Sequence, residues 1–90
     1  MISKQAKIAN QHGIHCRPAA VIVKEARDYQ GRIRVVNETG NESEASNALG
    51  LLALGLTCGK GITIEVEGPD ENATCDKMVE LFEREFDFDR

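Results

Sequence analysis

The sequence lacks any apolar run long enough to cross a membrane. Its longest, Ala48–Leu56, contains two glycines and falls well short of the roughly 20 residues that a spanning helix needs. No secretory signal is expected, because Met1–Ile8 alternates polar and apolar residues and forms no apolar block. Basic charge is scarce: 11 Lys and Arg stand against 15 Asp and Glu. The net charge of −4 and pI near 5.1 argue against a nucleic-acid module, which normally shows a basic face. Cysteine occurs three times, as Cys16, Cys58 and Cys75, an odd number with no short-range pairing motif. Reduced thiols in a cytoplasmic protein are the expectation. Repeats and low-complexity segments are absent. What is present is an ordinary globular mixture, 41% hydrophobic and 29% charged. At 90 residues it suits a single domain over 1–90, with a modest core.

Hydrophobic periodicity outlines the elements. Ile2–Ala9 alternates as a half-buried strand, with Ala6 and Ile8 on one face. Asn10–Gly13 is turn-like. His15–Gln30 reads as a helix with Ala19, Ile22, Val23 and Ala26 along one stripe, and Gly31 as its stop. Pro18 suits a first helical turn, which sets the start near His15. Arg32–Asn37 is a second strand, Thr39-Gly40-Asn41 a hairpin signal and Ser43–Ala45 a short third strand. Ser46 or Asn47 then caps a short helix through Gly55. Ile62, Ile64 and Val66 alternate with polar residues in a fourth strand ending at Glu67. A last helix, Glu71–Glu85, has the stripe Cys75, Met78, Val79, Phe82 and Phe86. The order β-α-β-β-α-β-α, with one-sided elements throughout, predicts an α+β two-layer sandwich.

Chemistry concentrates at Gly13-Ile14-His15-Cys16-Arg17-Pro18-Ala19-Ala20. The first amides of a helix have no intrahelical partner, and the helix dipole adds positive charge there, so an anion such as phosphate is favoured. The backbone N–H groups of Cys16 and Arg17 and the Arg17 guanidinium would serve as donors. A histidine at that start is disfavoured as imidazolium and stays neutral and nucleophilic. An ordinary cap or surface histidine fits the same spacing, as does a metal site built from His12, His15 and Cys16, although a closed site usually needs a fourth ligand. Cys16 reads as a small packed or half-exposed thiol. The second helix is apolar nearly all round, which suits either deep burial or an exposed docking patch.

These residues resemble the HPr family, the histidine-containing phosphocarrier proteins of the bacterial phosphotransferase system. The family motif G-[LIM]-H-A-R-P-A is matched by GIHCRPA at Gly13–Ala19, with Cys16 for the usual Ala. Residues 50–61, GLLALGLTCGKG, resemble a second family segment, and the likeness runs over essentially the whole chain. The resemblance implies an open-faced sandwich, a four-stranded antiparallel sheet covered on one face by three helices. It implies that His15 takes a phosphoryl group on Nδ1 from enzyme I, itself charged by phosphoenolpyruvate, and passes it to an EIIA-type protein. Arg17 then stabilises the phosphate. Ala20, Lys24 and Arg27 on the first helix, with Ala48, Leu49 and Leu52 on the second, are the implied docking contacts. A monomeric cytoplasmic carrier is implied, with no cofactor, no metal and no small-molecule turnover of its own.

Two departures bear on regulation. Relatives with a regulatory serine at the start of the second helix would place it at Asn47, so Ser46, one residue earlier, is a doubtful phosphorylation site. Glu42–Ala45 and the acidic ending LFEREFDFD are similar to nitrogen-branch members (NPr), whose role is mainly regulatory.

Overall fold

The computed structural model describes residues 1–9 and 16–83, and only the backbone of Cys16 and Arg17. Among these residues the elements run β1 (Ile2–Lys7), α1 (Cys16–Asp28), β2 (Arg32–Val36), β3 (Glu42–Glu44), α2 (Ala48–Ala53), β4 (Gly61–Glu67) and α3 (Glu71–Glu83). The strands form one antiparallel sheet in the order β1-β4-β2-β3, so β4 is central and β1 and β3 are the edges. The expected open-faced α+β sandwich is the observed one.

Alternation explains the layers. In β4, Ile62, Ile64 and Val66 are buried, while Thr63 and Glu65 are only half-covered on the open face. Ile33 and Val35 of β2 and Ala6 of β1 join the buried side. Ala19, Ile22, Val23 and Ala26 of α1 pack onto it, with Leu51 of α2 and Cys75, Met78, Leu81 and Phe82 of α3. On the open face Arg34 pairs with Glu65 at 2.9 Å and Glu42 at 3.1 Å, and Arg32 with Glu44 at 2.6 Å. These cross-strand pairs link β4, β2 and β3.

Several boundaries differ from expectation. The α1 helix ends at Asp28, where Tyr29 N–H turns to Ala26 O at 3.3 Å, so Gly31 is not its stop. Gly31 instead permits a close crossing, because a Cβ there would lie 2.2 Å from Glu67 O. The strand β3 begins one residue early, at Glu42. Its turn is tight: Asn37 N–H reaches Asn41 O at 2.9 Å, and Asn37 Oδ1 accepts from the amides of Thr39 and Asn41. That drawing-in also ends β2 at Val36. Helix α2 stops at Ala53, two residues before Gly55, which takes φ +67°. In α3 the buried stripe includes Leu81, whereas Val79 is only half-buried. Phe86 lies outside the described residues.

Candidate functional site

Of the chemistry-bearing segment, His12 and His15 lie outside the described residues, as does the Asn10–Gly13 turn. What the structure does describe are the two ends that hold the segment. On one side, α1 begins at Cys16, the residue directly after His15. Pro18 follows within that first turn and is fully buried, so the helix start is pinned to the core. On the other side, β1 leads to Ile8 and Ala9. Ile8 N–H donates to Lys60 O at 2.9 Å and Ile8 O accepts from Gly59 N–H at 2.8 Å. Cys58 Sγ sits 3.8 Å from Ala9 O. The turn over 57–60 therefore clamps the strand just before the segment.

The docking candidates fall as follows. Ala20, Lys24 and Arg27 are exposed along α1. On α2, Leu49 is 80% exposed and Leu52 37%, Ala48 is half-buried, and Leu51 alone is buried. The two helices pack on one another, so exposed Leu49 and Leu52 flank the same helix pair as Lys24 and Arg27. Asn47 is the cap of α2: its Oδ1 accepts from Gly50 N–H at 3.1 Å. Ser46 precedes the cap and is half-buried.

Among the described cysteines, Cys58 is exposed and Cys75 buried, both as free thiols. Burial pushes the Cys75 thiol up from its ordinary value, so it is held neutral as a core residue. A concavity of about 590 Å³ opens beside β1 and β4, lined by Gln5, Lys7, Val36, Glu38, Thr63 and Glu83 among others. Among the described residues, none of the docking candidates read from the sequence lines it. Glu38, which the sequence did not single out, lines it, and its Oε2 accepts from Gly61 N–H at 2.7 Å. Its spacing gives no signal, because the bond joins residues 23 positions apart.

Comparison with known proteins bears on the same segment. A family model described as "PTS HPr component phosphorylation site" matches residues 2–84. The chain is 34% identical to the phosphocarrier protein HPr of Treponema pallidum over 87 residues, covering 97% of this chain and 98% of that one. It is 30% identical to the phosphocarrier protein NPr of Escherichia coli K12 over 88 residues, covering 98% of each. The crystal structure of HPr from Bacillus anthracis superposes with a TM-score of 0.85 at 26% identity, covering 91% of this chain and 96% of that one.

Proposed function

The chain belongs to the HPr family of phosphocarrier proteins of the phosphotransferase system, and we propose that it carries its phosphoryl group on His15. The observation that carries the reading is GIHCRPA at Gly13–Ala19, which sets His15 directly ahead of the start of α1 in a chain matched almost end to end by a phosphorylation-site model. In this reading enzyme I is the donor and an EIIA-type protein the acceptor. The lone pair of neutral Nδ1 forms a bond to phosphorus as the donor's bond to phosphorus breaks, and the reverse exchange hands the group on. The free amides at the helix start, those of Cys16 and Arg17 first, meet the charge on the phosphoryl oxygens. The Arg17 guanidinium adds charge-assisted donors. Partners dock on α1 and α2 through Ala20, Lys24, Arg27, Ala48, Leu49 and Leu52, where the exposed leucines favour an apolar contact beside two cations. No cofactor is needed, and the carrier acts as a monomer.

The test is intact-mass spectrometry after incubation with enzyme I and phosphoenolpyruvate. Wild-type protein gains one acid-labile phosphoryl group, and His15→Ala gains none while keeping its fold. A labelled His15→Ala chain refutes the assignment. A nitrogen-branch role is the second reading, favoured by Glu42–Ala45 and the acidic ending. Transfer from the phosphorylated chain to EIIA proteins of both branches separates the two, as the cognate acceptor is discharged onto faster.

A further inference from the structure

We infer that Asn37, at the start of the β2–β3 turn, is a positioning residue that holds the docking face of α2 in place; the inference rests on the reading above that partners dock there. A helix of six residues does not persist by itself, since isolated helices are marginal below roughly 12–15 residues. The α2 helix must therefore be held from outside. Leu51, its one buried residue, anchors it to the core. Its first turn is capped by Asn47 and lies against β3, where a Cβ at Gly50 would overlap Ser43 Oγ. The carbonyls of a last helical turn have no partners within the helix. At that end the C-cap is Leu54, and Leu54 O accepts the Asn37 Nδ2 hydrogen at 3.0 Å, a partly buried bond between residues 17 positions apart.

Both ends of the Asn37 amide are used. Its Oδ1 accepts from Thr39 N–H at 3.1 Å, from Asn41 N–H at 2.9 Å and from the Thr39 hydroxyl at 2.9 Å, while its Nδ2 serves Leu54. The turn is fixed to the sheet, with Val36 paired to Glu42 across β2 and β3. One planar side chain thus ties the sheet to the end of α2. From there the tie runs back along the helix: Leu54 N–H binds Leu51 O at 3.2 Å, and Leu51 N–H binds Asn47 O at 3.0 Å. Leu49 and Leu52 stand exposed on this short stretch, so their aim follows the helix axis. Aspartate at position 37 separates the two tasks. It keeps an oxygen for the turn and loses the donor for Leu54.

The experiment measures kcat and KM of this chain as the phosphoryl acceptor of enzyme I, for wild type, Asn37→Asp, Asn37→Ala, Leu49→Asp and the double variant Asn37→Asp/Leu49→Asp. Asn37→Asp raises KM roughly three- to tenfold with kcat unchanged, the span that the loss of one hydrogen bond produces. Asn37→Ala, which adds no charge, raises KM at least as much. Leu49→Asp raises KM too, and adding Asn37→Asp to it raises KM by less than Asn37→Asp does alone, because both act on one face. Amide hydrogen exchange at Leu51 and Leu54 quickens in Asn37→Asp, and thermal melts show every variant folded at the assay temperature. The inference is overturned if either Asn37 variant keeps the wild-type KM, if kcat alone falls, or if the Asn37→Asp and Leu49→Asp factors multiply in full. Unchanged exchange at Leu51 and Leu54, or a loss that only follows the unfolded fraction, overturns it as well. Should Leu49→Asp alone keep the wild-type KM, the docking reading fails and this inference with it.

Discussion

Glu71 accepts the Gly68 N–H at 3.1 Å and faces the Met1 ammonium at 3.2 Å. The Gly68 N–H first, and the ammonium after it, hold its carboxyl below the ordinary 4.5. A carboxyl whose folded value is depressed stabilises the fold above its unfolded value, and that contribution is lost as pH falls through the lower folded value. Glu71→Gln therefore lowers the melting temperature at pH 7, and the deficit shrinks as pH drops below 4.5. Melts across that range check it; a constant deficit would mean that the charge is not what matters. Single residues were also where sequence reasoning reached least far. Gly31 is a recognisable punctuation mark, yet its task is to let β2 pass Gly68, whose Cα is 2.9 Å from the Cβ site at Gly31. Glu38 and Asn37 look like turn residues, and their long-range bonds exist only once the sheet register is set.

Helix α2 has no contrast between its faces in sequence, so periodicity could not say which leucine turns inward. The structure buries Leu51 and leaves Leu49 80% exposed. Leu49→Asp consequently changes stability by about 0.5 kcal/mol or less, as exposed substitutions do. It raises KM for enzyme I if α2 is the docking face, and an unchanged KM would clear α2 of that role. Where contrast existed, the elements were legible. The alternation of Ile62, Ile64 and Val66 marked β4, and the stripe through Ala19, Ile22, Val23 and Ala26 marked α1. In α3 both Val79 and Leu81 border the stripe of Cys75, Met78 and Phe82. Docking on the sheet chose Leu81, and no local rule could have made that choice. The site segment stood out for a different reason: its residue types at a helix start allow an anion site, a plain cap or a metal site alike, and the family motif GIHCRPA is what singles out His15, whereas packing depends on neighbours distant in sequence.

For the molecule as a whole, the covering layer of helices depends on a few large side chains. Phe82 is fully buried beneath α3. Phe82→Ala removes roughly 3–5 kcal/mol, a large part of the ~5–15 kcal/mol that holds a domain folded. A denaturant melt with a midpoint close to wild type would show that the site collapses around the gap. The sheet order carries another consequence, for the timing of folding during synthesis. Strand β1 is made first, but its hydrogen-bonded neighbour is β4, with Ile2 paired to Val66 and Lys7 to Gly61. On the ribosome the first strand has no partner until residues 61–67 have emerged, so the sheet closes late and nearly all at once. A nascent chain stalled before Gly61 should be protease-sensitive throughout, and one released beyond Glu83 should not.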